Sequence, residues 1–412
     1  MGTLPLAYIA YPTSLTLKAA NAVQTFLTCR HLRRLRPETL VLVPRLGWEP
    51  SAFLEIGAVH LPRLPLGKLS RLWRSTLWYY GERGLFALEV IAYLLFLRLW
   101  RRRRYRVLYV REVICAYVLA RLRWLLGARI VYEAHDLESR NPSRAKEAFI
   151  QPWLRRVDRY LLARADGVVS LTATFGQYLE EQGWRPTAQV EVIPDAYDES
   201  LFYPRERAGC RAALGIPPEA QVILYAGLTF SYRGLEDLVA AYGRLRAEFP
   251  QALLYLVGGR PAEIERLRAQ AEELGVAEGL VVPGQVPLVE VPLYLAAADV
   301  LVIPGTVSLE TASPLKMFEY MAMGVPVVAV DRPALREILP EEGALYFPPE
   351  DIGALVAALR RVLAEPAEAQ ERAVRAQQAV QRYTYAWRAQ RILEVAARVG
   401  EGQSCTPRMA VV

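Results

Sequence analysis

Short apolar runs of strand length alternate with longer helix-like runs along nearly the whole chain, a pattern that confines the fold to parallel sheets flanked by helices. In the first half, strands are expected near Leu4–Ala10, Leu40–Val43, Val107–Arg111, Arg129–Glu133, Gly167–Leu171 and Val190–Ile193. Helices are expected around Leu17–Leu35, Leu85–Arg102, Val113–Leu126 and Pro152–Ala165. The second half repeats the scheme, with strands at Val222–Ala226, Leu253–Val257, Leu280–Val282, Val300–Ile303, Val325–Val330 and Ala344–Phe347. At 412 residues, 53% of them hydrophobic, the chain fills two cores, so the expectation is α/β with two doubly wound, Rossmann-like domains. The segment from Ile193 to Pro204, with a proline at each end of a short polar stretch, reads as the linker. The expected division is 1–194, 195–382, a helix at 383–400 and a disordered tail at 401–412. Ligands of such sheets bind beyond the carboxyl ends of the strands, so the chemistry is expected in strand-end loops lining a cleft between the domains.

One segment, SPLKMFEYMAMGVP from Ser313 to Pro326, carries most of the functional information. Ser313 suits an N-cap and Pro314 a first helical position, so a helix is expected to open there with its free N–H groups available to an anion. Lys316 places a full positive charge where the helix dipole alone favours an acid, which an anionic ligand would reconcile. Leu315, Phe318 and Ala322 form an apolar stripe, and Glu319 falls on its edge, where a half-buried carboxylate needs donors such as ribose hydroxyls. An ordinary capped helix with a local Lys316–Glu319 ion pair would show the same letters. Three further loops stand at strand ends: Gly227 to Gly234, Gly258-Gly259-Arg260, and Glu133-Ala134-His135-Asp136. The glycine pair also suits a plain tight turn, Arg233 a snorkelling side chain, His135 a packed structural residue and Asp136 a turn cap.

Charge is divided unevenly, with 29 Lys+Arg against 18 Asp+Glu in residues 1–200 and 21 against 25 in residues 201–412. The basic surplus of the first half suits an anionic partner. Nucleic acid is disfavoured because no recognition module is present. The four cysteines are scattered, which fits a reduced, cytoplasmic protein with no disulfide framework, and no D-x-D pair marks a metal site at a cleft loop. The run from Leu85 to Trp100 is interrupted by Glu89 and Arg98 and is short for a membrane span; no signal peptide is expected.

Together these motifs resemble the family 4 glycosyltransferases, retaining enzymes with the GT-B fold. The resemblance covers nearly the whole chain and is most specific at SPLKMFEYMAMGVPVVA, at the linker and at GLTFSYRGLEDLVAAYGRL; Tyr383–Trp387 resembles the family's final helix crossing back to the first domain. It implies a nucleotide-diphosphate sugar, UDP- or GDP-linked, as donor substrate on the second domain, no cofactor and no metal. Carried over by position, Glu319 would hold the ribose, Ser313, Pro314, Leu315 and Lys316 the diphosphate, and Arg233 would stand as the donor-phosphate cation beside Gly227, Gly258 and Gly259. His135 would lie near the transferred sugar, with Asp136 beside it. Many members carry an acid at the position of Thr311 and an arginine at that of Leu228, and this chain departs from the pattern at both.

The acceptor, a glycan or lipid-linked molecule, is expected on the first domain. Between Leu61 and Gly84, the cations Arg63, Lys68, Arg71 and Arg74 alternate with Trp73, Trp78, Tyr79 and Tyr80, a composition that suits sugar stacking, a lipid interface or plain helix packing. Arg101 to Arg104 follow a helix and suit its C-terminus or anionic lipid, so a peripheral position at the inner face of the cytoplasmic membrane is a further expectation. A GT-B nucleotide-sugar 2-epimerase and a non-catalytic membrane-associated relative are the alternatives.

Overall fold

The computed structural model describes residues 5–17, 19–45, 50–63, 77–141, 148–306 and 313–402. The chain divides into two units, one comprising Met1–Pro194 with Tyr385–Val412, the other Asp195–Thr384. The chain therefore passes between units twice, at 194–195 and at 384–385.

In the first unit the strands are β1 (Leu6–Ile9), β2 (Leu40–Pro44), β3 (Val59–Leu61), β4 (Val107–Val110), β5 (Arg129–Ala134), β6 (Gly167–Ser170) and β7 (Val190–Val192). They form one sheet in the order β3-β2-β1-β4-β5-β6-β7, parallel at every pairing. The helices are α1 (Ala20–Leu35), α2 (Leu77–Trp100), α3 (Val113–Leu126), α4 (Gln151–Arg164) and α5 (Ala173–Glu181). Local chemistry sets their ends. Glu112 caps α3 by accepting from the Cys115 N–H at 2.6 Å, and Gly127 stops it in the left-handed conformation. Central strands are apolar on both faces because helices cover both, and Tyr8 of β1 stacks on Tyr109 of β4 at 5.2 Å inside this core.

The second unit has β8 (Gln221–Ala226), β9 (Ala252–Val257), β10 (Leu280–Gly284), β11 (Val300–Ile303), β12 (Val327–Val330) and β13 (Leu345–Phe347), ordered β10-β9-β8-β11-β12-β13 and again parallel. Its helices are α6 (Arg207–Leu214), α7 (Leu235–Leu245), α8 (Pro261–Glu273), α9 (Val291–Ala297), α10 (Leu315–Met323), α11 (Pro333–Arg336), α12 (Ile352–Ala364) and α13 (Pro366–Val380). The last helix, α14 (Tyr385–Glu401), belongs to the first unit, where it packs along α1 and its Arg398 and Arg391 pair with the buried Glu191. Both sheets reverse strand order beside their first strand, between β1 and β4 and between β8 and β11, which is where such sheets bind ligands.

Two elements depart from the sequence expectation. The three-residue edge strand β3 is too short to show an alternating pattern. Helix α2 starts at Leu77, not Leu85, so it absorbs the aromatic run Trp78-Tyr79-Tyr80 and tolerates Gly81 and Gly84 within it. The expected tail at 401–412 lies outside the described residues beyond Gly402; Glu401 still belongs to α14.

Candidate active site

In the second unit the Gly227–Gly234 loop, the Gly258–Arg260 loop and the residues from Pro304 follow β8, β9 and β11, which are neighbours in the sheet. Glycine allows them to touch backbone to backbone. Gly227, Gly258 and Gly259 have φ of 140°, 113° and 90°, and a Cβ on Gly258 would collide with the Gly227 carbonyl oxygen. A Cβ on Gly234 would come 2.8 Å from the Pro304 carbonyl oxygen, and one on Gly305 2.7 Å from the Arg233 carbonyl carbon. The loops therefore form one rim, with little room for side chains other than those aimed into it.

Helix α10 enters this rim. Its first helical residue is Leu315, because Pro314 takes an extended ψ of 126° and serves as the N-cap residue, without a side-chain cap. The expected N-cap role of Ser313 is thereby corrected: its hydroxyl is buried and has no hydrogen-bond partner. The apolar stripe also needs correction. Met317, Phe318 and Tyr320 to Met323 face the core, whereas Leu315, Lys316 and Glu319 share the half-open face.

Lys316 reaches back to the first glycine loop, its ammonium 3.5 Å from the centroid of the Tyr225 ring. Burial, reinforced by the nearby Arg233 guanidinium, pulls the Lys316 ammonium well below the usual lysine range. Arg233 ends a short 3-10 turn, Ser231–Arg233, with its Nε buried and unpartnered. Burial lifts the Glu319 carboxyl to about 7, with Lys316 opposing the shift and Asp195 adding to it. Among the described residues, no hydrogen bond or salt bridge joins Lys316 to Glu319. Two basic side chains thus stand together beside an unpaired carboxyl, an arrangement that accommodates an anion joined to a hydroxyl-bearing group.

In the first unit the turn after β5 carries His135 over a buried polar cluster. The Glu133 carboxylate, fully buried, receives Arg388 Nη2 at 2.7 Å and lies 3.1 Å from Arg111 Nε and 2.6 Å from His135 Nε2. Its other oxygen accepts from the Tyr109 hydroxyl. Burial alone would raise the Glu133 carboxyl, but Arg388, Arg111 and His135 hold it well below the usual range. His135 Nε2 faces both the Glu133 carboxylate at 2.6 Å and the Arg111 guanidinium at 2.9 to 3.1 Å, so its tautomer decides whether it donates to the acid or accepts from the arginine. Burial and then Arg111 depress the ring to about 4, leaving it neutral near pH 7. Arg111 is itself fixed by the Thr25 and Gln24 side chains of α1. Asp136 accepts from the Leu137 N–H at 2.8 Å, and buried Asp158 accepts from Ser139 N–H at 2.9 Å, so both shape the turn that presents His135.

The sequence reading missed Glu133, Arg111 and Arg388 as members of this cluster. Arg388 left a sign: it occupies the core-facing register of α14 with Tyr385, Ala389, Ile392 and Val395, where a cation needs a buried partner. Of the acceptor candidates, Arg71, Trp73 and Arg74 lie outside the described residues, as does Thr311; Trp78 stands half-buried in the first turn of α2.

Residues 22–196 match the family described as Glycosyl transferase 4-like domain, and residues 207–380 match Glycosyl transferases group 1. The D-inositol 3-phosphate glycosyltransferase of Segniliparus rotundus is 31% identical over 210 residues, 50% of this chain and 46% of that protein. The GDP-mannose-dependent alpha-(1-6)-phosphatidylinositol monomannoside mannosyltransferase of Mycolicibacterium smegmatis is 29% identical over 209 residues, 49% and 54% of the two chains. The chain thus spans about half the length of the curated relatives it matches. Among solved structures, sucrose-phosphate synthase from Thermosynechococcus elongatus superposes with a TM-score of 0.77 at 22% identity, covering 97% of this chain and 100% of that one. Anabaena HepE in complex with UDP-glucose gives 0.73 at 19% identity, covering 95% and 99%. The first three are transferases or a synthase by name, which leaves the epimerase alternative without support. With a match in each half and the two-sheet architecture shared along its length, the chain belongs to the family 4, group 1 type of glycosyltransferases with the GT-B fold.

Proposed function

We propose that this protein is a retaining hexosyltransferase that moves a sugar from a nucleotide-diphosphate donor to a glycan or lipid-linked acceptor, in the assembly of cell-surface polysaccharide or glycolipid. The observation that carries this reading is the pairing of Lys316 and Arg233 beside Glu319 at one glycine rim. A diphosphate would restore the charge that burial denies Lys316, and ribose hydroxyls would donate to Glu319. The buried Ser313 hydroxyl supplies a further polar atom for the phosphate end. Curated relatives named for inositol phosphate and GDP-mannose, and a neighbour crystallised with UDP-glucose, are consistent with either nucleotide.

In the reaction, the bond from the anomeric carbon to the phosphate oxygen breaks and a bond to the acceptor oxygen forms on the same face. The acceptor's proton passes to the departing phosphate oxygen. Negative charge grows on the diphosphate, and Lys316, Arg233 and the N–H groups opening α10 are the groups placed to stabilise it. This cationic set is why we propose that no metal is required. Neutral His135 would hydrogen-bond a sugar hydroxyl through Nδ1, with Glu133 and Arg111 fixing its ring through Nε2. The protein would work peripherally, at the inner face of the cytoplasmic membrane. A panel of UDP- and GDP-sugars, read for both binding and product, tests the proposal; failure of every nucleotide to bind would end it.

A further inference from the structure

We infer that the outward face of α2 is a docking surface that lies in the plane of an anionic lipid leaflet. Helix α2 has 24 residues, about 36 Å at about 1.5 Å per residue. Its amphipathicity runs opposite to that of a water-facing helix. Of its four charged residues, Glu82 and Arg83 are buried, Glu89 is half-buried and Arg98 alone is exposed. The other exposed side chains, Leu77, Leu88, Ala92, Phe96, Leu99 and Trp100, are all apolar and recur at helical spacing along its length. The inner charges are engaged: the Arg83 guanidinium lies over the Tyr79 and Tyr11 rings at 3.2 and 4.4 Å, and Glu82 pairs with Arg63. A helix apolar on its inner and outer sides needs cover on both.

The C-terminal end of α2 identifies the cover. Trp100 is 72% exposed and Leu99 67%, and Phe96 stacks on Trp100 at 5.6 Å. Trp124 of α3, also 72% exposed, is brought to the same end, where Arg98 Nη1 donates to the Leu125 carbonyl at 3.2 Å. Directly after Trp100 come Arg101, Arg102, Arg103 and Arg104, all exposed, and among the described residues none of them pairs with a carboxylate. Indole rings beside guanidinium groups that no carboxylate neutralises suit the boundary between acyl chains and phosphate headgroups. A protein partner would need the same apolar strip matched and four extra positive charges neutralised; an anionic leaflet meets both demands at once. Docking is in-plane, since no helix among the described residues is long and apolar enough to cross a membrane.

The inference deepens the peripheral-membrane part of the function proposed above and does not rest on its chemistry. The test is flotation of the full chain, without nucleotide sugar, on phosphatidylcholine vesicles with and without phosphatidylglycerol. The intact protein floats with the anionic vesicles and not with the neutral ones. Two variants divide the surface: Leu99→Ser with Trp100→Ser and Trp124→Ser, and Arg101 to Arg104 all replaced by Gln. Each lowers the bound fraction at least roughly tenfold. The arginine variant alters only exposed side chains and no buried one, costing at most the Arg104 bond to the Gly127 carbonyl and the Arg103 contact with Tyr105, so it remains informative should the apolar one lose its fold by circular dichroism. Failure of the intact protein to float, or undiminished flotation of the arginine variant, overturns the inference. So does a dimer in light scattering that the apolar substitutions convert to monomer without vesicle binding, since a second copy would then cover the face. Flotation with no nucleotide binding would instead remove the transferase proposal and leave the docking surface standing.

Discussion

Arg388 Nη2 lies 2.7 Å from Glu133 Oε1, and the same carboxylate oxygen lies 2.6 Å from His135 Nε2. Arg388 Nη1 also donates to the carbonyls of Ile193 and Pro194 at 2.7 and 2.6 Å, the last residues before the chain leaves the first unit. One guanidinium therefore joins the first crossing point, the start of the final helix and the turn that presents His135. Arg388→Met leaves Glu133 buried with one fewer cation and is expected to destabilise the protein by about 3 kcal/mol. Adding Glu133→Gln should recover part of that loss; chemical denaturation of the single and double variants checks both.

His135→Ala is expected to leave nucleotide-sugar affinity nearly unchanged while transfer falls by about 10²- to 10⁴-fold. Binding calorimetry and product formation measure the two separately. Equal losses in both would remove His135 from the chemistry.

Lys316→Met should weaken nucleoside diphosphate binding more than it weakens nucleoside binding, by about 10- to 100-fold for the diphosphate. Glu319→Gln should do the reverse, weakening the nucleoside and diphosphate alike. A titration series with nucleoside, monophosphate and diphosphate distinguishes the two.

The pH dependence of donor binding follows from Glu319. Its carboxyl titrates at about 7 in the free protein, and hydroxyl donors favour the charged form, so binding lowers that value. Affinity should then weaken as pH falls below about 7, and Glu319→Gln should flatten this limb. Lys316 acts oppositely: affinity falls as pH rises through its depressed value in the free protein, because the cation is what the diphosphate needs.

Stability has its own dependence. His135 is shifted from 6.5 to about 4, so between those values the unfolded chain binds the proton and the folded one does not. The folded state should lose stability as pH drops through that window, and His135→Gln should reduce the slope of Tm against pH. His60, also lowered by burial, contributes in the same direction and serves as the internal comparison.

Much of the architecture was legible because period and punctuation agree. Helix α3 was readable to the residue, since Glu112 and Gly127 mark its ends chemically. Lys316 and Glu319 were identifiable because each is the wrong residue for its place in a helix that binds nothing. Local pattern failed where distant residues decide. Ser313 loses its capping role to the extended Pro314, and the cations of the Glu133–His135 cluster arrive from the end of β4 and from α14, separated from His135 by 24 and 253 residues of chain. Helix α2 extends further toward the N-terminus than its pattern shows, because its outer face offers no polar residue to mark where the core-facing pattern begins.

The final helix has a consequence for biosynthesis. Because α14 supplies one of the guanidinium groups beneath Glu133 and both cations paired with Glu191, the amino-terminal half leaves the ribosome with Glu191 uncountered and Glu133 held by Arg111 and His135 without Arg388. It reaches its finished state only after nearly 400 residues have been made, so the earliest-synthesised lobe is the one completed last.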